Sequence, residues 1–118
     1  MAAAHQLTHP GRSALPIDVI TRYPKLVDLG LAGYLEPGQK HRTALGTWEY
    51  VPPETARMVL GCDPENDGVG CAGDWWAVGI SIHEMLTGTR PFREVDSNGN
   101  FDKEATLRMI AQERFDPR

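Results

Sequence analysis

The stretch Asp74-Trp75-Trp76-Ala77-Val78-Gly79-Ile80-Ser81-Ile82-His83-Glu84-Met85-Leu86-Thr87-Gly88 decides the fold class. Trp75, Val78, Ile82 and Met85 recur at helical spacing, and Trp76, Ile80 and Leu86 widen that stripe beyond a single face. The pattern predicts a helix over 75–87, apolar around much of its circumference and therefore suited to the inside of a protein. Asp74 is the candidate N-cap, because a short carboxylate can accept from the orphan amides of the first turn. Gly88 supplies the stop, and Pro91 blocks any continuation. Gly79 and Ser81 leave room for another element to approach closely.

Outward from this helix, toward the N-terminus, residues 61–73 read as a loop rich in Gly, Asp and Asn. Before it, Pro52-Pro53 open a short helix that ends at Gly61, since proline tolerates the first turn, where its missing N–H would be unpaired anyway. Glu54 suits the positive end of that helix. Residues 29–47, with Gly30, Gly33, Pro37, Gly38 and Gly46, have neither period and form a long loop of the kind that is often functional. Ile17–Ile20 and Lys25–Asp28 read as the arms of a short β-hairpin. Residues 1–16 read as an irregular tail. On the C-terminal side, Asp102 caps a last helix over 103–113 whose apolar side is Leu107, Ile110 and Ala111. The expected fold class is mainly α, with a short N-terminal β-hairpin, a long loop and three helices.

Composition narrows the function classes. A length of 118 residues fits one domain at most. Twelve Lys+Arg against sixteen Asp+Glu give a net charge of −4, which argues against nucleic acid and against an anionic membrane surface as partners. The longest apolar run, Trp75–Ile80, falls far short of the ~20 residues that span a bilayer. The first ten residues have neither the basic start nor the hydrophobic stretch of a secretory signal. Cys62 and Cys71 make no disulfide framework. The expectation is an intracellular, cytoplasmic chain.

Several local patterns invite a sharper reading than they support. Gly68-Val69-Gly70-Cys71-Ala72-Gly73 matches G-x-G-x-x-G, but Asp63-Pro64-Glu65-Asn66-Asp67 before it is not the strand a nucleotide fingerprint needs. Asp63, Glu65, Asp67, Gly68 and Asp74 stand at calcium-loop positions, yet Asp replaces the usual final Glu, so a solvated acidic loop is the better reading. Cys62 and Cys71 are spaced too widely for a zinc pair and are expected to be buried or neutral thiols. His83 is expected at the edge of a core.

An ordered series of motifs is more specific. Asp28-Leu29-Gly30 follows the second hairpin arm, Gly46-Thr47-Trp48-Glu49-Tyr50-Val51-Pro52-Pro53-Glu54 follows the long loop, and Asp74-Trp75-Trp76-Ala77-Val78-Gly79 runs on through Gly88-Thr89-Arg90-Pro91-Phe92. Together they resemble the C-lobe of a eukaryotic serine/threonine protein kinase, from the metal-binding triplet through the activation segment to the central helix and the one after it. The Gly-Thr-x-x-Tyr form looks like serine/threonine kinases, and Asp-Trp-Trp resembles the cyclic-nucleotide-dependent (AGC-like) group. The resemblance makes residues 17–118 a partial kinase domain and implies ATP and Mg2+ as cofactors, with a protein substrate.

Residue by residue, the resemblance implies that Asp28 is a metal ligand and that Asp28 and Gly30 belong to the cofactor site. Leu29 replaces the family's usual Phe. Leu45, Thr47 and Trp48 match the segment that receives the substrate residue after the phosphoacceptor, and Thr43 matches the activation-loop phosphorylation site, where a phosphate could order the loop through arginine. Glu54 and Asp74 match structural supports: Glu54 pairs with an arginine of a later helix in the family, and Asp74 holds the catalytic-loop backbone. No catalytic residue is assigned within this chain, because the glycine-rich loop, the strand lysine and the His-Arg-Asp loop are not readable in it. The primary reading is a truncated serine/threonine kinase domain, inactive alone. The alternative is a non-catalytic, pseudokinase-like interaction module.

Magnitudes bear on the truncation. The central helix offers about seven large apolar side chains, each gaining roughly 1.5–3 kcal/mol on burial, while whole domains are stable by only about 5–15 kcal/mol. Leaving half of that helix bare would consume the margin. The expectation is that the stretch after Lys25 rests against a larger body, and the resemblance implies as partner a protein substrate or the missing parts of a kinase domain.

Overall fold

The computed structural model describes residues 23–42, 44, 46–65 and 68–113. Helix α1 spans Pro53–Leu60, α2 spans Ala72–Thr87 and α3 spans Lys103–Ala111, with 3-10 turns at Leu29–Leu31 and Trp48–Tyr50. Among the described residues, extended pairing is confined to isolated bridges, including His41 with Val69 and Val95 with Phe101. The architecture is mainly helical, as the sequence pattern required. Lys25–Asp28 do not form the expected strand, and Ile17–Ile20, the other arm, lie outside the described residues, as does the 1–16 tail. A run of four residues has too few ladder bonds to hold itself extended without a neighbouring sheet.

The helix ends follow their local chemistry. Pro53 opens α1, and Gly61 closes it in the left-handed region, its amide reaching the Met58 carbonyl at 3.2 Å. Asp102 caps α3 by accepting from the Ala105 amide at 2.9 Å. Upstream of that cap, Asp96 accepts from the amides of Asn98 and Asn100 and folds the turn that joins the two bridged residues. The Thr106 hydroxyl ties this turn to α3 by accepting from the Glu94 amide at 2.9 Å.

Helix α2 begins earlier than its apolar pattern indicates. Cys71 occupies the N-cap position, and Asp74 lies inside the first turn, so Asp74 is not the cap. The helix extends backward because Gly73 fits where nothing larger would: a Cβ there would meet Val69 Cγ1 at 2.7 Å and Pro52 Cγ at 3.2 Å. Asp74 still sits favourably near the positive end of the helix.

The core lies between α1, α3 and the turn before α1. Ala56, Leu107 and Ile110 are almost completely enclosed, with Tyr50, Val51 and Phe92 beside them. Arg57 bridges α1 to the end of α3, donating from Nε to the Ala111 carbonyl at 3.1 Å and pairing with Glu113 at 2.6 Å. Trp76 stacks on Phe92 with ring centroids 5.5 Å apart. From α2 the core takes the small side of the helix: Gly73, Ala77, Ile80 and Ser81 are buried. Trp75, Val78, Ile82, Met85 and Leu86 stay exposed, Leu86 at 81%. The helical period marks an apolar face, but nothing in it says what covers that face. Of the expectation that Cys62 and Cys71 are buried or neutral thiols, the burial half is corrected: both are exposed.

Candidate functional site

Residues 30–35, His41, Tyr50–Pro52, Thr55, Val69–Cys71, Gly73, Asp74 and Ala77 enclose a cleft of about 490 Å³. It gathers Gly30 of the first motif, Tyr50, Val51 and Pro52 of the second, and Asp74 of the third. These motifs are far apart in sequence, so their shared cleft depends on tertiary packing. Asp28 is not among the lining residues. It precedes the 3-10 turn Leu29–Leu31, exposed, in the left-handed region at φ 59. Aspartate tolerates that conformation better than most residues, and backbone held there clusters at functional sites. Gly30 lies close to its carboxylate: a Cβ at Gly30 would stand 3.5 Å from Asp28 Oδ1.

The wall of the cleft is fixed by one close approach. His41 and Val69 exchange backbone hydrogen bonds at 2.8 Å in both directions. Gly68 makes this possible, since at φ 120 a Cβ would lie 2.4 Å from the His41 carbonyl oxygen. Gly68 and Gly73 of the G-x-G-x-x-G match therefore serve backbone contact and helix packing, which accounts for the pattern without a phosphate.

Thr47 and Trp48 are half-buried on the approach to the core, and Lys103 Nζ stands 3.7 Å over the Trp48 ring. Glu54 lies in the first turn of α1, half-buried, with its carboxylate near Gly73. Thr43 and Leu45 lie outside the described residues. Asp63 and Glu65 lie on the loop before α2, and Asp67 lies outside the described residues. No group of three His, Cys, Asp or Glu among the described residues could hold a metal ion.

A charged network beneath this segment escaped sequence reasoning. Arg90 donates from Nη1 to Glu49 Oε1 at 2.7 Å and from Nε to Glu84 Oε1 at 3.2 Å, with its guanidinium 5.5 Å from the Tyr50 ring centre. Arg93 also donates to Glu49, and the Tyr50 hydroxyl donates to Glu84 Oε2. Burial, then the hydrogen bond to Glu84, push the Tyr50 hydroxyl far above its usual range, so it stays a donor. For Arg90, burial works against the charge, but the Glu49 hydrogen bond and charge outweigh it and hold the guanidinium more firmly protonated. One signal was available. Glu49 sits between Trp48 and Tyr50, and Glu84 sits in an apolar helix; a carboxylate in such company needs a cation.

The protein kinase domain profile matches residues 17–117. The chain belongs to the protein kinase domain family. This kinase-domain chain is 45% identical over 74 residues to human cGMP-dependent protein kinase 2, a match covering 63% of the chain and 9% of that relative. It is 45% identical over 76 residues to the cGMP-dependent protein kinase egl-4 of Caenorhabditis elegans, covering 64% of the chain and 9% of the relative. With the serine/threonine-protein kinase AtPK1/AtPK6 of Arabidopsis thaliana it shares 42% identity over 90 residues, 76% of the chain and 17% of the relative. The chain thus aligns with less than a fifth of the length of these relatives. No described helix is long and apolar enough to cross a membrane.

Proposed function

We propose that this chain supplies the activation-segment and central-helix part of a serine/threonine protein kinase domain, which transfers phosphate from ATP to protein serine or threonine with Mg2+, and that it is inactive alone. The observation that carries the reading is the cleft that gathers Gly30, Tyr50–Pro52 and Asp74, one element from each of three ordered motifs. The family match and the names of the similar relatives support it.

Asp28 fits one part of a magnesium site. Magnesium in such sites takes one or two carboxylates together with phosphate oxygens and water, and an exposed aspartate beside a glycine leaves room for all three. Bound there, the ion would neutralise charge on the nucleotide phosphates. Asp28 would hold the ion, and Gly30 would keep the space beside its carboxylate free. Leu45, Thr47 and Trp48 would receive the substrate segment, and Thr43 would be the phosphorylation site. Glu54 and Asp74 would be supports that join this chain to the parts bearing the base. The protein partner would be either a substrate or those remaining parts of the domain, and the setting would be intracellular and cytoplasmic.

The exposed apolar face of α2 also supports a second reading, a non-catalytic interaction module. A chimera separates the two. Residues 23–113 replace the matching segment of human cGMP-dependent protein kinase 2, and phosphate transfer to a peptide is measured with Mg2+ present. The kinase reading expects an active chimera that loses about 1,000-fold or more on Asp28→Ala, since members of a catalytic unit cost several orders of magnitude. A folded but inactive chimera would favour the interaction module.

A further inference from the structure

The stretch Trp48–Val51 is held by side chains more than by backbone. Among the described residues its backbone bonding is local, from the Tyr50 amide to the Thr47 carbonyl at 3.0 Å. Three of its four side chains are instead gripped from residues 84–103: Trp48 by Lys103, Glu49 by Arg90 and Arg93, and Tyr50 by Glu84 and the Arg90 guanidinium. The grip spans 41 residues of sequence at Arg90 and 44 at Arg93.

The charges balance, with two carboxylates and two guanidiniums, but their burial is uneven. Glu49 and Glu84 side chains are 6% and 11% exposed and Arg90 is 15% exposed, whereas Arg93 is 44% exposed. Arg90 is the shared counterion of both buried carboxylates, and Arg93 is an outer arm on Glu49 alone. We infer that Arg90 and Arg93 form an ionic latch that fastens Trp48–Val51 to the end of α2 and the segment after it, so that this stretch opens when Arg90 and Arg93 release Glu49. Glu49 cannot leave its site cheaply while both arginines hold it; once Arg90 is gone Glu84 is left with the neutral Tyr50 hydroxyl and Glu49 with the more exposed Arg93. The latch is a property of the geometry and stands apart from the kinase reading. Its consequence, that it sets the shape of the surface offered to a substrate, rests on that reading.

Hydrogen exchange on the full 118-residue chain tests the latch without any activity measurement. The peptide covering 47–51 is compared with peptides from α1 and α3 in the same sample. In the unaltered chain, the 47–51 amides that are hydrogen-bonded are expected to be protected. Arg93→Met should speed their exchange about tenfold and Arg90→Met about 100-fold, with α1 and α3 little changed, because removing one partner of a buried pair strands the other charge. Arg90→Lys should fall between the two, since an ammonium keeps the charge but not the forked reach to both carboxylates. Glu84→Gln combined with Arg90→Met should exchange more slowly in 47–51 than Arg90→Met alone, because the stranded Glu84 charge is gone. Unprotected 47–51 amides in the unaltered chain would overturn the latch. So would a double variant looser than Arg90→Met, or an Arg93→Met variant that leaves 47–51 unchanged or loosens α3 equally. Where Arg90→Met loosens the whole molecule, Arg93→Met carries the decision, because its carboxylate keeps Arg90. A chimera without kinase activity would leave these outcomes untouched.

Discussion

Residues 23–35 and residues 48–113 use apolar side chains in opposite ways. In the first region Tyr23, Leu26, Val27, Leu29, Leu31 and Tyr34 all stand exposed, Tyr34 at 82%. In the second, Val51, Ala56, Leu107 and Ile110 are sealed, and even the charges are paired inside. Helix α2 belongs to both regimes, with Ala77 and Ile80 in the core and Leu86 and Met85 facing out. The contrast teaches that the chain carries one completed packing unit beside surfaces of equal apolar character that are not completed by the described residues. The contrast places the metal-binding candidate Asp28 in the uncompleted region.

The sharpest way to break this contrast is truncation at one enclosed and one exposed apolar position. Ile110→Ala, at a fully enclosed site, should cost about 2–5 kcal/mol, read as lost exchange protection in α1 and α3. Leu86→Ala should change that protection by no more than about 0.5 kcal/mol, as for surface positions. Equal effects would mean that α2 is covered on its outer side in solution. Next in size, Gly68→Ala forces a Cβ onto the His41 carbonyl at positive φ and should cost about 1–3 kcal/mol, visible as faster exchange of the Val69 amide. Asp102→Ala removes the α3 cap and should cost about 1 kcal/mol, measured by urea unfolding followed by circular dichroism.

The smallest effect concerns pH. The Asn100 amide, followed by that of Asn98, holds the Asp96 carboxyl below the usual aspartate range. A depressed folded value means that the turn is fully supported above the ordinary aspartate pKa of about 4 and loses that support as pH falls through the lower folded value. An NMR titration of Asp96 should show this midpoint, and Asn100→Gly should leave the backbone donor and shift it only slightly. A midpoint at or above the ordinary value would remove Asp96 from the account of the turn.

Much of the fold was legible because it is local. Pro53 and Gly61 bracket α1, Asp102 starts α3, and Leu107 and Ile110 mark its buried side, each through contacts within one or two turns. The start of α2 was misread at Asp74 because the deciding contact, Gly73 against Val69 and Pro52, is tertiary. The motif order led to the family, and the cleft then brought Gly30, Tyr50 and Asp74 together, while Asp28 stood apart from its lining. The ionic network was hidden because Glu49 and Arg90 lie 41 residues apart, and charge pairing at that distance leaves no periodic trace.

By itself, the order of residues determined the helical class, both ends of α1, the start of α3 and the kinase-domain membership, since propensity, capping and motif spacing act along the chain. Tertiary structure alone decided which side of α2 is covered, why Gly68 and Gly73 cannot be larger, and how Glu49 and Glu84 are neutralised. Those outcomes depend on which groups meet in space, and burial and charge compensation are properties of that meeting.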